Sequence, residues 1–330
     1  MVAFQPRLTG IFTPSSEAID ELTALKYKRD FKGRVPRSPH EVHADEASKL
    51  VQLQRDAGFS LISDGQFSWG DLLRPVYAGT SGVDTGSQTR WFEVNGFVFP
   101  PRIVGRPKEA EVSTIADYLY PSIMGPNGEV TLVGPYTMFR MTENETNVPS
   151  PLIRYAFSSQ FKRVLSNLLP NIRLVEFCEP ALSYDARHSI SKNEMGEALA
   201  FARDAYREIA SVVPNSVQTI VQLPDGDFNE LAQYVIDLPV GGFGVDLTET
   251  VTPSSKINLE GRILSAGILN SSSSVPENLP FSAQRVRMAI STWHPDSTYV
   301  TTYAQLFHTI SHEPAVAKVK ELGKLAEMLS

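Results

Sequence analysis

The sequence predicts an α/β fold closed as a single (β/α)8 TIM barrel, with an N-terminal helical extension and a hairpin-like insertion. Three observations carry this. The length of 330 residues suits one barrel of about 250 residues plus insertions. Short apolar, β-branched runs alternate about eight times with longer segments of helical spacing, the mark of a parallel sheet with crossover helices. Finally, polar groups gather where strands end: Asp64-Gly65-Gln66, Gly134-Pro135-Tyr136-Thr137, Glu179-Pro180, Gln222-Leu223-Pro224-Asp225, Asp246-Leu247-Thr248-Glu249 and Asn270-Ser271. In a barrel those ends form the face that carries chemistry, although polar loops also cap helices with no further role.

Taken in order, Leu8–Phe12 reads as a short strand stopped by Thr13-Pro14-Ser15, and Glu17–Phe31 has helical spacing. Pro36 and Pro39 break the chain before a second helix, His40–Asp56, with Val42, Ala47, Leu50, Val51 and Leu53 near one face and Gly58 closing it. Phe59–Gly65 reads as a strand running into a polar loop. Residues 91–105 alternate around Pro100-Pro101 and read as a hairpin-like excursion. Val112–Met124 has a helical pattern, and Val130–Val133 is a buried strand ended by Gly134-Pro135. The unit then repeats as helix Leu152–Leu169, strand Ile172–Phe177, helix Glu194–Val213, strand Gln218–Leu223 and short helix Asn229–Ile236. Strands follow at Phe243–Leu247, Ile263–Leu269 and Thr298–Thr302, with a partly helical Pro276–Ile290 and a closing amphipathic helix Glu313–Leu329. Ser271–Ser274 is too short for a linker, so residues 1–330 read as one domain. Periodicity alone does not separate a barrel from a doubly wound sheet; the barrel is the more economical closure.

Composition excludes several classes. A hydrophobic fraction of 42% with 20% charged residues supports a sizeable core. The net charge of −7 argues against nucleic acid as a partner, because a phosphate-backbone binder needs a basic face. Cys178 is the single cysteine, so the chain has no internal disulfide and reads as a protein of a reducing, cytoplasmic compartment. Met1–Gly10 lacks the apolar core of a signal peptide, and no run reaches the length of a membrane span. No Gly-x-Gly-x-x-Gly fingerprint or phosphate loop is present.

Five blocks occur in sequence: Asp64-Gly-Gln-Phe-Ser-Trp-Gly-Asp71, Trp91-Phe-Glu-Val-Asn95 with Pro100-Pro101-Arg102, Val133-Gly-Pro-Tyr-Thr-Met138, Glu179-Pro-Ala-Leu182 and Ser265-Ala-Gly-Ile-Leu-Asn270. In this order they make the chain resemble the cobalamin-independent methionine synthase family over nearly its whole length. The resemblance implies a (β/α)8 barrel and a place in methionine biosynthesis. Full-length members carry two such barrels, of which the C-terminal one binds zinc, homocysteine and methyltetrahydrofolate. The Phe67-Ser68-Trp69-Gly70-Asp71 and Trp91–Asn95 blocks resemble the non-catalytic N-terminal barrel more closely.

In that family zinc lowers the thiol pKa of homocysteine by coordination. The resemblance places the histidine slot of the zinc site at Gln222, the cysteine slot at Pro224, the carboxylate slot near Asp246 and the distant cysteine slot near Ala304. Proline has no donor atom and a glutamine amide is a poor zinc ligand, so this chain is expected to bind no metal or other cofactor of its own. The two carboxylates that hold the homocysteine ammonium correspond to Gln66 and Cys178, which removes both charges.

Other residues have readings of their own. His308 and His312 stand at i, i+4, a spacing that can bind a metal, but Pro314 follows at once and no third ligand is evident. His294 precedes a proline, as turn residues do. Cys178 beside Glu179 reads as a small buried residue rather than a nucleophile. Trp69 and Trp91 are either core residues or a stacking surface for a flat ring. Asp71 and Glu179 either orient a ligand or cap a helix.

The substrate-binding candidates are therefore Asp64, Gln66, Trp69, Asp71, Glu179, Gln222, Asp246 and Asn270, with no catalytic residue assigned. The resemblance implies a zinc-less subunit acting with a separate zinc-bearing barrel in methyl transfer from a methyl-folate donor to homocysteine. The alternatives are a non-catalytic pterin- or amino-acid-binding or scaffold barrel, and a diverged metal-free enzyme. Val76-Tyr77, Phe97-Val98-Phe99 and Tyr118-Leu119-Tyr120 are the apolar groups available to a partner interface.

Overall fold

Seven strands make one parallel sheet: β1 (Phe4–Pro6), β2 (Gly128–Val133), β3 (Ile172–Cys178), β4 (Gln218–Leu223), β5 (Gly242–Asp246), β6 (Ile263–Leu269) and β7 (Ser297–Thr302). Their spatial order is β1-β7-β6-β5-β4-β3-β2. The structure is a computed structural model and describes residues 4–92, 96–108, 115–188, 192–307 and 310–330. Helices Ser150–Leu168, Lys192–Ala210, Phe228–Val235, Leu279–Trp293 and His312–Leu329 alternate with or follow the strands. Among the described residues no helix is long and apolar enough to cross a membrane.

The expected closed eight-stranded barrel is not formed. The sheet is an open, curled half-barrel whose edges are β1 and β2. The segment expected as a strand at 59–65 lies beside β2 but joins it through one isolated bridge, Ile62 with Gly128. There Ile62 N–H donates to Asn127 O and Glu129 N–H to Ile62 O, both at 2.9 Å. The next backbone groups go to side chains instead of a ladder. The Gln54 carboxamide takes both Ser63 N–H (2.9 Å) and Ser63 O (2.7 Å), Ser63 Oγ accepts from Gly65 N–H (3.0 Å), and Asp64 Oδ1 accepts from Gln66 N–H (2.9 Å). Gly65 (φ 79°) and Gln66 (φ 51°) then turn left-handed, which ends any extended pairing.

The other side of the gap behaves alike. The strand expected at Leu8–Phe12 forms earlier, at Phe4–Pro6, and Arg7 N–H still reaches Val300 O at 3.0 Å. Beyond it, Leu8 N–H donates to Glu129 Oε1 (3.0 Å) and Gly10 N–H to Thr131 Oγ1 (2.8 Å). Side-chain acceptors thus replace a neighbouring strand along both margins of the seam.

Two helices, Ser16–Lys26 and Pro39–Asp56, follow β1. Ser38 and Glu41 form a capping box at the start of the second, a device worth about 1 kcal/mol. The insertion is built from Ser81–Thr85 antiparallel to Pro101–Lys108, and Thr89–Arg90 antiparallel to Phe97–Val98. Of the segment expected to be helical at 112–124, residues 112–114 lie outside the described residues; Ile115–Tyr118 is a 3-10 turn and Pro121–Met124 a single helical turn.

The interior of the half-barrel is layered. Leu61, Leu174, Ile220, Ile263 and Tyr299 plug its N-terminal end. The larger core lies outside the sheet, where Phe177 packs edge-on to Tyr206 (5.4 Å) and Phe228 to Trp293 (5.4 Å). Burial of apolar side chains, these rings among them, is the main driving force for the fold.

Candidate functional site

Above the apolar plug sits a buried ionic layer that the sequence reading did not identify. Arg7 Nε donates to Glu129 Oε2 (3.0 Å), Nη1 to Glu176 Oε1 (2.9 Å) and Ser265 Oγ (3.0 Å), and Nη2 to Glu176 Oε2 (3.1 Å). Thr131 Oγ1 donates to Glu176 Oε2 at 2.7 Å, and Thr9 Oγ1 joins the same oxygen. Burial alone would lower the Arg7 pKa, but the carboxylates of Glu176 and Glu129 outweigh it and hold the guanidinium above its ordinary value. The available signal was a lone carboxylate inside each of two apolar strand runs, Glu129 and Glu176; buried charges must be paired.

Toward the C-terminal end of the strands, the 64–71 block is spent largely on holding its own loop. Asp64 is fully buried, with Oδ1 taking Gln66 N–H (2.9 Å) and Oδ2 taking Tyr120 N–H (2.8 Å). Burial pushes its pKa up to about 6. Gln66 Nε2 donates to Thr131 O and its Oε1 accepts from Thr131 N–H, both at 2.8 Å. One side-chain amide therefore stands in for a strand at the β2 edge. Trp69 is buried and its indole N–H donates to Tyr118 O (3.1 Å). Asp71 Oδ1 accepts from Leu73 N–H (2.9 Å) and Arg74 N–H (2.8 Å) at the start of the turn Arg74–Tyr77, and Oδ2 pairs with Arg74 Nε.

Glu179 is buried with both oxygens filled. Oε1 accepts from Tyr136 N–H (3.0 Å) and Tyr206 Oη (2.9 Å); Oε2 accepts from Thr137 N–H and Thr137 Oγ1, each at 2.7 Å. Burial outweighs these donors and raises its pKa to about 7. Cys178 is a free, buried thiol, and burial with Glu176, Glu179 and Asp225 nearby holds its pKa well above the ordinary value. A thiolate is disfavoured there.

The ends of β4 to β7 differ in having acceptors left over. By strand register Gln222 stands beside Gly244, and Asp246 beside Gly267, which has Thr301 on its other side. Gln222 Nε2 donates to Tyr303 O at 2.7 Å, and its amide lies over Gly244 so closely that a Cβ there would fall on Oε1. Asp246 Oδ1 accepts from Thr248 N–H (2.7 Å), Thr248 Oγ1 (2.6 Å) and Glu249 N–H (3.2 Å). Gln222 Oε1, Asp246 Oδ2 and Thr301 Oγ1 are buried without a partner. Burial pushes the Asp246 pKa up to about 7. Asn270 stands at the rim, its Oδ1 accepting from Ser272 N–H (2.8 Å) and its N–H donating to Glu277 Oε1 (2.8 Å). Tyr303 Oη and Ser272 Oγ are 2.9 Å apart. The structure thus brings Gln222 and Asp246 to one end, with Asn270 at its edge, and holds Asp64, Gln66, Trp69 and Asp71 in a separate loop.

The four slots that the resemblance aligns with zinc ligands hold Gln222, Pro224, Asp246 and Ala304. Gln222 turns its amide nitrogen to a carbonyl and keeps only a neutral amide oxygen free, Pro224 and Ala304 have no side-chain donor atom, and Asp246 alone offers a free carboxylate oxygen. These residues do not fit a zinc ion. Among the described residues no group of three or more His, Cys, Asp or Glu is placed to hold a metal. His308 lies outside the described residues; His312 begins the last helix with Nδ1 2.9 Å from Thr13 O. His294 is the left-handed cap of helix Leu279–Trp293. Trp91 is buried with its ring 5.2 Å from Phe92.

A family model described as cobalamin-independent synthase, N-terminal domain, matches residues 75–284. A 5-methyltetrahydropteroyltriglutamate–homocysteine methyltransferase of Mesorhizobium japonicum is 23% identical over 237 residues, which is 69% of this chain and 29% of that protein. The Bacillus licheniformis protein of the same name is 22% identical over 198 residues, 59% of this chain and 26% of its own length. The chain therefore spans less than a third of these curated relatives. A B12-independent methionine synthase structure from Shewanella sp. W3-18-1, in complex with selenomethionine, has a TM-score of 0.73 at 15% identity and covers 100% of this chain and 98% of its own. At that identity the likeness is one of fold.

Proposed function

Because this chain belongs to the family of the cobalamin-independent synthase N-terminal domain, we propose that it is a metal-free member that binds a small amino compound of the amino-acid type at the C-terminal end of its half-barrel. The observation that carries this reading is the set of buried acceptors without donors: Gln222 Oε1, Asp246 Oδ2 and Thr301 Oγ1. A buried polar atom left unpaired costs about 1–3 kcal/mol, and an ammonium group brings three donors and a charge to offset it. The amino-acid class follows from the relatives, which are named for transfer to homocysteine.

No methyl transfer through zinc is assigned to this chain, since Gln222 and Pro224 do not supply the thiolate-activating site. The test is to titrate L-homocysteine, L-methionine and 5-methyltetrahydrofolate separately and to assay methionine formation with zinc added. Binding of the amino acids without methionine formation is expected. Zinc-dependent methionine formation by this chain alone would overturn the reading.

A second reading keeps this barrel as a subunit beside a separate zinc-bearing barrel. It is favoured by the match to a domain described as N-terminal and by the 29% of the Mesorhizobium relative that the chain spans. Against it, Val76, Tyr77, Val98, Leu119 and Tyr120 are buried within this chain's own core, which leaves Phe97 exposed and Phe99 and Tyr118 half-buried among those groups.

A further inference from the structure

Outside the ligand site proposed above, the 64–71 loop presents one side chain to a pair of titratable groups. We propose that Ser68 is an activated nucleophile with His43 as its general base, giving this face of the protein an acyl-transfer activity toward small, uncharged carboxylic esters. Ser68 Oγ lies 3.0 Å from His43 Nδ1 and 3.0 Å from Tyr120 Oη. Both Ser68 and His43 are partly open to solvent, so a substrate can reach them. Tyr120 Oη stands between Ser68 Oγ and His40 O (3.2 Å); with its single proton given to Ser68, the Ser68 hydroxyl proton is left for the imidazole. A nucleophile within hydrogen-bond reach of its base is the geometry this chemistry requires.

The loop is built to hold that hydroxyl still. Gln66 has a left-handed backbone (φ 51°), and in a residue with a Cβ strain of this kind persists only where the surroundings enforce it; Gly65 and Gly70 (φ 79° and 69°) turn the same way without strain. Gln66 is clamped to Thr131, Trp69 to Tyr118, Asp64 to Tyr120 and Asp71 to Arg74. Each of these side chains is used for positioning, while Ser68 is turned to the base. Glu46, one turn further along the His43 helix, is buried and favours a positive charge on the imidazole, whereas His40 opposes it. Burial keeps His43 below the ordinary histidine pKa, so the ring is the free base near neutral pH. The exposed His40 ring lies 5.2 Å from the ring of Tyr120 and makes an aromatic edge to this face.

In the reaction Ser68 Oγ attacks the ester carbonyl carbon and its proton passes to His43 Nδ1. The bond from that carbon to the alcohol oxygen breaks, and the proton leaves with the alcohol. Water then attacks the acyl-serine and gives a proton to His43; the bond from the acyl carbon to Ser68 Oγ breaks, His43 returns the proton to Oγ, and the carboxylic acid is released with Ser68 restored.

The experiment exposes the whole chain to diisopropyl fluorophosphate, follows the intact mass and maps the modified peptide. The expected result is one adduct per chain on Ser68, no adduct in Ser68→Ala, and labelling slowed about 10²- to 10⁴-fold in His43→Gln, with the melting temperatures of both variants near that of the parent. Wild-type chain that stays unlabelled, carries its adduct elsewhere, or is labelled at the same rate as His43→Gln overturns the proposal. A burst of one p-nitrophenol per chain from p-nitrophenyl acetate reads the same step without any variant. Failure here would leave the Gln222–Asp246 ligand site untouched, because no residue is shared.

Discussion

Gln66 shows how far a residue's type can mislead about its task. The resemblance aligns it with a ligand-binding carboxylate, yet its amide pairs with both backbone groups of Thr131. Gln66→Ala would leave a buried N–H and a buried C=O unpaired, at about 1–3 kcal/mol each. Urea unfolding should therefore show a loss of about 2–6 kcal/mol, and Gln66→Glu should be no better, because a carboxylate cannot donate to Thr131 O. A loss below about 0.5 kcal/mol would mean that the seam does not depend on this amide. Asp246 gives a test by pH. Its pKa rises from 3.8 in the unfolded chain to about 7 in the fold. The folded state then binds the proton more tightly, so this group's stabilising contribution is full below about pH 4 and is lost as pH rises to about 7. In Asp246→Asn the fall in melting temperature across that window should be shallower than in the parent. An identical slope in the two proteins would remove Asp246 from the account.

At the scale of elements, strands with partners on both sides were legible and the seam was not. Gln218–Leu223 and Ile263–Leu269 form with the expected bounds, because short segments with β-branched and apolar centres suit a parallel strand covered on both faces. Phe59–Gly65 has a similar local pattern, but its fate is set by Gln54, Ser63 and Asp64 taking its backbone groups, and such capture does not alter hydrophobic periodicity. The same limit hid the offset of β1 and the ionic layer. The candidate site was legible only as a set of polar strand ends; which ends keep a free acceptor depends on turns such as Asp246 to Thr248, visible only in three dimensions. Gly244 gives a prediction about β5. An added Cβ displaces the Gln222 amide from Tyr303 O, so Gly244→Ala should cost about 1–3 kcal/mol. Combining it with Gln222→Ala removes the clash, and the double variant should be more stable than the sum of the two losses by about 0.5–3 kcal/mol. Additive losses in denaturant titrations would show that the two residues do not compete for one space.

For the whole molecule, Arg7 ties the first strand to β2, β3 and β6 through Glu129, Glu176 and Ser265. Arg7→Met leaves two buried carboxylates without their cation, which should cost about 3–5 kcal/mol; a smaller loss in chemical denaturation would mean that the open half-barrel holds its curl without this layer. The central claim is that the far end of that half-barrel receives an amino compound without a metal. The most direct measurement is calorimetric titration of L-homocysteine into the protein in excess EDTA, for the parent and for Asp246→Asn. The account predicts saturable binding that EDTA does not change and that weakens at least about tenfold in Asp246→Asn, the equivalent of 1.4 kcal/mol. Binding that EDTA abolishes, binding that Asp246→Asn leaves unchanged, or no heat up to millimolar ligand would contradict it.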